Sequence, residues 1–185
     1  MEERREKEEE EKKKREEEQR KKQEEMNAMA KNRVTVWSMS GWNTANCYTS
    51  MIVISPYCCN EVALHMIDLS RFVNLRELKV GDDCFGNVDE VSIIGLRQLE
   101  RVVIGENCFT KCKNDLPTSI NSKGHFFLKN CERLRELKMG RYSFSDYSVC
   151  EIENVPSLEV IEMGRTEEKS ANFVYSSLQL KSESP

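Results

Sequence analysis

Leu75-Arg-Glu-Leu78-Lys-Val80-Gly81-Asp-Asp-Cys84-Phe85 is the stretch that decides the fold, because the chain repeats it. It returns as Leu99-Glu-Arg-Val102-Val-Ile104-Gly105-Glu-Asn-Cys108-Phe109 and as Leu134-Arg-Glu-Leu137-Lys-Met139-Gly140-Arg-Tyr-Ser143-Phe144. A last copy fades into Leu158-Glu-Val-Ile161-Glu-Met163-Gly164. The leucines stand 24, 35 and 24 residues apart, so the unit is 24 residues and the middle copy carries an 11-residue insertion. A fixed period in this range is the signature of a solenoid.

The rest of each unit has its own pattern. Ile67-x-Leu69-x-x-Phe72-x-x-Leu75 matches Val91-x-Ile93-x-x-Leu96-x-x-Leu99, then Phe126-x-Leu128-x-x-Cys131-x-x-Leu134, then Cys150-x-Ile152-x-x-Val155-x-x-Leu158. Each unit therefore offers two short apolar stretches with period-two spacing, which predicts two strands per unit stacked into two parallel sheets. The fold class expected is mainly β, with four to five such coils. The first coil is degenerate: Met51-Ile-Val-Ile54-Ser-Pro-Tyr-Cys58 aligns with the phrase when one residue slips, and Ser55 takes the glycine slot. Gly81, Gly105, Gly140 and Gly164 follow the second strand of each unit, where a backbone turn that other residues resist is expected. Phe85, Phe109 and Phe144 are expected to stack as an interior aromatic column. Cys84 and Cys108 share a slot with Ser143, which calls for a small buried side chain, so the eight cysteines read as reduced thiols rather than disulfides or metal ligands. Cys58-Cys59 and Cys108/Cys112 are the pairs a disulfide would use.

Leu-x-x-Φ-x-Φ-Gly-x-x-Cys/Ser-Phe, with a second strand phrase per unit, resembles the leucine-rich repeats of the BspA-like type over Met51 to Met163. That resemblance implies a leucine-rich-repeat-like solenoid and a protein-binding scaffold. The chain departs from ordinary leucine-rich repeats at the ladder-asparagine slot, which holds Asp83, Asn107, Tyr142 and Thr166.

Three segments are expected: a charged helix or coiled-coil-like tail over 1–31, a capping segment over 32–50, and the repeats over 51–185. Residues 2–25 contain only charged residues and two Gln. Glu precedes Lys or Arg by four positions at Glu3/Lys7, Glu8/Lys12, Glu9/Lys13, Glu10/Lys14, Glu11/Arg15, Glu16/Arg20, Glu17/Lys21 and Glu18/Lys22, each pair supporting a helix by ~0.2–0.5 kcal/mol. Val34-Thr-Val-Trp37 reads as a strand, and Trp37 and Trp42 are expected to cover the first coil. A net charge of −4 argues against nucleic acid as partner. No apolar run reaches the length of a membrane helix, and no apolar signal core or glycosylation sequon is visible. The expectation is a cytoplasmic chain with no cofactor and no metal.

Catalysis needs a constellation, and none assembles: Ser145-Asp146 lacks a placeable histidine, and His125 reads as structural. The reading is therefore not an enzyme but a protein–protein interaction scaffold, with a structural, self-associating spacer or a non-catalytic arm of a larger protein as the alternative. Candidate protein-binding residues are the outward positions Glu77, Lys79, Arg101, Val103, Glu136 and Lys138, with Lys111 and Lys113 from the polar insertion Thr110–Gly124. The column Arg76, Glu100, Arg135, Glu159 and the column Glu77, Arg101, Glu136, Val160 alternate in sign, which favours neighbouring units in register. The partner is a protein of unknown identity. Self-association is expected through the C-terminal edge, where Leu178-Gln-Leu180 restarts a unit that stops at Pro185, with Phe173, Val174 and Tyr175 as a partial lid.

Overall fold

The computed structural model describes residues 11–22, 24, 32–113, 116–165, 167 and 169–181. Two compact units divide the chain, Met1–Arg33 and Val34–Pro185. In the first, residues 11–22 are helical (α1). Ion pairs join Glu11 to Arg15 at 3.7 Å, Glu17 to Lys21 at 2.9 Å and Glu18 to Lys22 at 2.7 Å, while Arg20 reaches forward to Glu24 at 3.6 Å. The expected pairs that involve Glu3, Lys7, Glu8, Glu9 and Glu10 lie outside the described residues.

In the second unit short segments with apolar residues two apart make strands, and in β2, β4, β6 and β8 buried side chains alternate with more exposed ones. Those of the first sheet are β1 (Arg33–Val36), β2 (Met51–Ile54), β4 (Glu77–Val80), β6 (Arg101–Ile104), β8 (Glu136–Met139) and β10 (Val160–Met163). Those of the second are β3 (Met66–Asp68), β5 (Glu90–Ile94), β7 (Asn121–Lys129), β9 (Tyr147–Glu153) and β11 (Ser177–Lys181). The orders are β1-β2-β4-β6-β8-β10 and β11-β9-β7-β5-β3. All the registered neighbours from β2 onward are parallel.

This layout corrects the expected leucine-rich-repeat-like solenoid of four to five coils. The described residues form two parallel sheets, of six and five strands, with helix only at α1 and at the single turn α2 (Met39–Trp42). A leucine-rich repeat returns each strand through helix or 3₁₀ structure. Here both apolar phrases of a unit are β, and β1, read as part of a cap, is a full member of the larger sheet.

Register follows the repeat. Leu78 lies opposite Val102, Val102 opposite Leu137 and Leu137 opposite Ile161. On the other sheet Val91 faces Phe126, Phe126 faces Cys150 and Cys150 faces Leu178. These inward columns, with the phrase leucines Leu75, Leu99 and Leu134, make one buried core from Val36 to Ile152. The insertion is shorter as a loop than expected. Its last residues, Asn121 to Gly124, belong to β7, because Gly124 lies against Tyr147, where an added Cβ would come within 2.8 Å of the tyrosine Cα. Asn114 and Asp115 lie outside the described residues.

The aromatic column forms: Phe85 stacks on Phe109 at 4.9 Å between ring centroids and Phe109 on Phe144 at 4.7 Å. Phe173 adds a further ring, 5.0 Å from Phe144. At the other end Trp42 is buried and meets Phe72 and Phe85 edge-on, whereas Trp37, expected to share that task, is 73% exposed.

Gly164 takes the expected left-handed backbone, at a φ of 71°, but the other three phrase glycines act differently. The left-handed backbone falls not on Gly81, Gly105 or Gly140 but two and four residues later, at Asp83, Asn107 and Tyr142 and at Phe85, Phe109 and Phe144. The glycines are there for close approach. A Cβ on Gly81 would stand 2.6 Å from the Pro56 nitrogen, one on Gly105 2.7 Å from the Asp82 nitrogen, and one on Gly140 2.6 Å from the Glu106 nitrogen. Backbone cannot yield as a side chain can. Gly105→Ala is therefore expected to destabilise the fold by more than the ~1 kcal/mol of helix-interior glycine effects, and in the opposite direction, read by thermal unfolding. Phe109→Ala, which empties the middle of the column, should cost about 3–5 kcal/mol by chemical denaturation.

Candidate protein-interaction surfaces

The corner after each strand of the larger sheet carries a ladder that ties unit to unit. The Cys58 thiol donates to the Trp37 carbonyl at 3.0 Å, Cys84 to Ser55 at 3.1 Å and Cys108 to Gly81 at 3.1 Å. The Ser143 hydroxyl donates to Gly105 at 2.7 Å and accepts from the Cys108 N–H at 3.0 Å. Asn172, which precedes Phe173 as Cys84 precedes Phe85, donates to Gly140 at 2.8 Å. The slot thus requires a donor as well as a small side chain. All eight cysteines are free thiols, including both pairs considered for disulfides. Burial pushes Cys59 and Cys150 up to about 12 and Cys84 and Cys131 up to about 11, so these thiols are packing groups rather than nucleophiles.

Strand register brings six of the candidate residues onto the outer face of the larger sheet. Glu77 lies opposite Arg101 and Arg101 opposite Glu136, with Val103 between Lys79 and Lys138 one position along. Arg101 pairs with Glu77 at 3.7 Å and also with Glu136. Lys79 reaches Glu77 at 2.9 Å, and Lys138 reaches Glu136 at 2.7 Å and Glu162 at 3.2 Å. The Lys138 hydrogen bond holds the Glu136 carboxyl below its ordinary range, with Arg101 adding to it, and Glu136 and then Glu162 hold Lys138 above its own. Along the neighbouring column Arg76 meets Glu100 at 3.9 Å. These charges are committed to one another across the rungs. Exposed pairs of this kind contribute ~0–1 kcal/mol each, and their sign pattern opposes slippage.

The loop lysines do not join that face. Lys113 pairs with Asp83 at the corner, at 2.9 Å, and Lys111 is exposed near Asp146. The second sheet has its own outer cluster, unread in the sequence: Lys129 bridges Glu151 at 2.5 Å and Glu153 at 3.3 Å and lies over the Phe127 ring. Its corner also carries a left-handed column, Gly95, Asn130 and Asn154, whose unit spacing was the available signal.

At β10 and β11 the inward columns stand exposed among the described residues. Ile161 and Met163 continue the inward columns of the larger sheet and Leu178 and Leu180 those of the smaller. Their equivalents one rung back, Leu137, Met139, Cys150 and Ile152, are buried, yet these four are 42%, 37%, 58% and 60% exposed. β10 and β11 are also the outermost strands there, so backbone donors and acceptors face outward beside an apolar surface.

Polar groups elsewhere do not converge. Ser145 is buried and shares a hydrogen bond with Thr110 at 2.8 Å. His65 meets Asp89 at 3.1 Å and His125 lies edge-on to Phe127. Among the described residues no group of three or more His, Cys, Asp or Glu side chains could hold a metal ion, and no helix is long and apolar enough to cross a membrane. The chain matches no protein-family model, no curated protein and no solved structure.

Among the described residues Asp146 is the one buried carboxylate, and burial raises its pKa against hydrogen bonds from Thr110 and Lys111 that lower it. Its Oδ1 has no hydrogen-bond partner. A carboxyl whose pKa is higher folded than unfolded stabilises below its unfolded pKa and loses that contribution as pH rises through the folded value. Asp146→Asn is accordingly expected to raise the melting temperature at pH 7, with the gain over the native chain shrinking at pH 4 and below.

Proposed function

We propose that the chain is a non-catalytic protein–protein interaction scaffold whose contact surface is the exposed apolar edge of β10 and β11 rather than the charged strand face. One observation carries this reading: four inward-column side chains, Ile161, Met163, Leu178 and Leu180, stand exposed beside two unpaired strand edges. Strand addition to such an edge supplies backbone hydrogen bonds for affinity and alternate side-chain pockets for specificity. The outer face around Val103 offers less, because its charges already satisfy one another. Eight thiols with no disulfide among them support a reducing, cytoplasmic setting.

Affinity capture with paired variants tests the choice of surface. Leu178→Asp with Leu180→Asp is expected to lose the captured protein, while Lys79→Glu with Lys138→Glu retains it. Loss with the lysine pair and retention with the leucine pair would contradict the proposal.

A further inference from the structure

We infer that the cavity lined by Glu100, Arg133, Arg135 and Ser157 is a binding site for a phosphate monoester. It lies where the chain passes from the smaller sheet to the larger, and it shares no residue with the β10–β11 edge. Its volume is about 450 Å³, within the roughly 300–1,000 Å³ of small-ligand sites.

The repeat accounts for how the cavity forms. In each of these connections the phrase leucine turns inward between two residues that do not. Leu99 and Leu134 are buried and Leu158 packs against the core, while Glu100, Arg133 and Arg135 are exposed. The residues after the leucine lie one rung apart: the Arg135 N–H donates to the Glu100 carbonyl at 3.0 Å and the Glu159 N–H to the Arg135 carbonyl at 2.9 Å. The residues before it run Asn74, Gln98, Arg133, Ser157 along successive units. Serine is the shortest of the four, so space is left beside the two arginines.

Charge points to the ligand. Glu100 is met by Arg76 at 3.9 Å and Glu132 by Arg97 at 3.5 Å. Arg133 gives one N–H to the Gln98 side chain at 2.8 Å, which leaves most of its guanidinium available. Among the described residues no ion pair or hydrogen bond holds the Arg135 guanidinium or the Ser157 hydroxyl, and Glu159 on the next rung pairs with neither arginine. Two guanidinium forks and a hydroxyl, all donors, therefore line one cavity whose single carboxylate another arginine already meets. Guanidinium forks match phosphate oxygens in pairs. A phosphate monoester offers three terminal oxygens to these three donors, where a carboxylate offers two, and it carries close to two negative charges at neutral pH. The cavity also has room for the carbon that bears the phosphoryl group. That carrier is a phosphorylated serine of a partner or a small free ester, and the recognition of the phosphoryl group is common to both.

An NMR titration of the full chain, read on the arginine Nε–Hε signals, tests this. The probes are N-acetyl-phosphoserine amide and glycerol 3-phosphate, with N-acetylserine amide and acetate as controls. Both esters are expected to shift the Arg133 and Arg135 signals saturably, and neither control to do so at the same concentration. Arg135→Gln should weaken ester binding more than about tenfold, while Lys79→Gln, which removes the same charge from the outer strand face, changes it less than about twofold. Glu100→Gln is expected to tighten binding, a gain that damage to the fold would not give. Tighter binding of the phosphoserine supports the site with a protein-borne ligand, and tighter binding of glycerol 3-phosphate supports it with a free one. No saturable shift with either ester, acetate binding as tightly, equal loss in Arg135→Gln and Lys79→Gln, or weaker binding in Glu100→Gln would overturn the inference.

Discussion

Each unit is fastened to the one before it by a side-chain donor reaching a main-chain carbonyl at the corner of the larger sheet. Cys58, Cys84, Cys108, Ser143 and Asn172 reach Trp37, Ser55, Gly81, Gly105 and Gly140 in turn. Much else follows from this spacing. The donor must be short, and the unit behind must come close, so the carbonyl residue is glycine at three of the five positions. The residue after the donor takes a left-handed backbone in Phe85, Phe109, Phe144 and Phe173, which directs each ring inward onto the ring before it. Neutral hydrogen bonds contribute about 0.5–1.5 kcal/mol each and aromatic pairs about 0.5–1.5 kcal/mol beyond burial, so no single rung dominates. Their common register is what makes them cooperative.

Much of this was legible in the sequence because repetition turns one physical requirement into a column. Leu78, Val102, Leu137 and Ile161 declare an interior position together where any one of them would be ambiguous. The aromatic column and the sign-alternating charges were readable for the same reason. What escaped is instructive. Glycine's two uses, unusual backbone angles and close approach, look identical in a sequence; only the contact with Pro56, Asp82 or Glu106 tells them apart. The cysteine slot read as small, since a thiol's weak donor capacity is invisible until a carbonyl stands opposite it. Period-two spacing made both halves of each unit legible as strands, whereas the leucine-rich-repeat-like solenoid implied by the resemblance did not hold. The left-handed column Gly95, Asn130 and Asn154 lies outside the eleven-residue repeat, and its mixed residue types hide it in the sequence.

Two kinds of surface emerge with different work to do. The outer face of the larger sheet collects Glu77, Lys79, Arg101, Val103, Glu136 and Lys138 as the spacing required, but proximity there makes the charges partners of one another. Lys113 is directed to a corner instead, and Lys111 lies near Asp146. At the C-terminal end the interior columns run on past the last buried rung, so the same leucines that elsewhere hold the core together meet water. There the apolar columns and the edges of β10 and β11 have no neighbour among the described residues.

The central claim is that successive units lie directly over one another in register. Nuclear Overhauser contacts between selectively labelled phenylalanine rings measure this most directly. The account predicts contacts from Phe109 to both Phe85 and Phe144, and none between Phe85 and Phe144 themselves. Contacts from Phe85 directly to Phe144, or none from Phe109 to either neighbour, would contradict it.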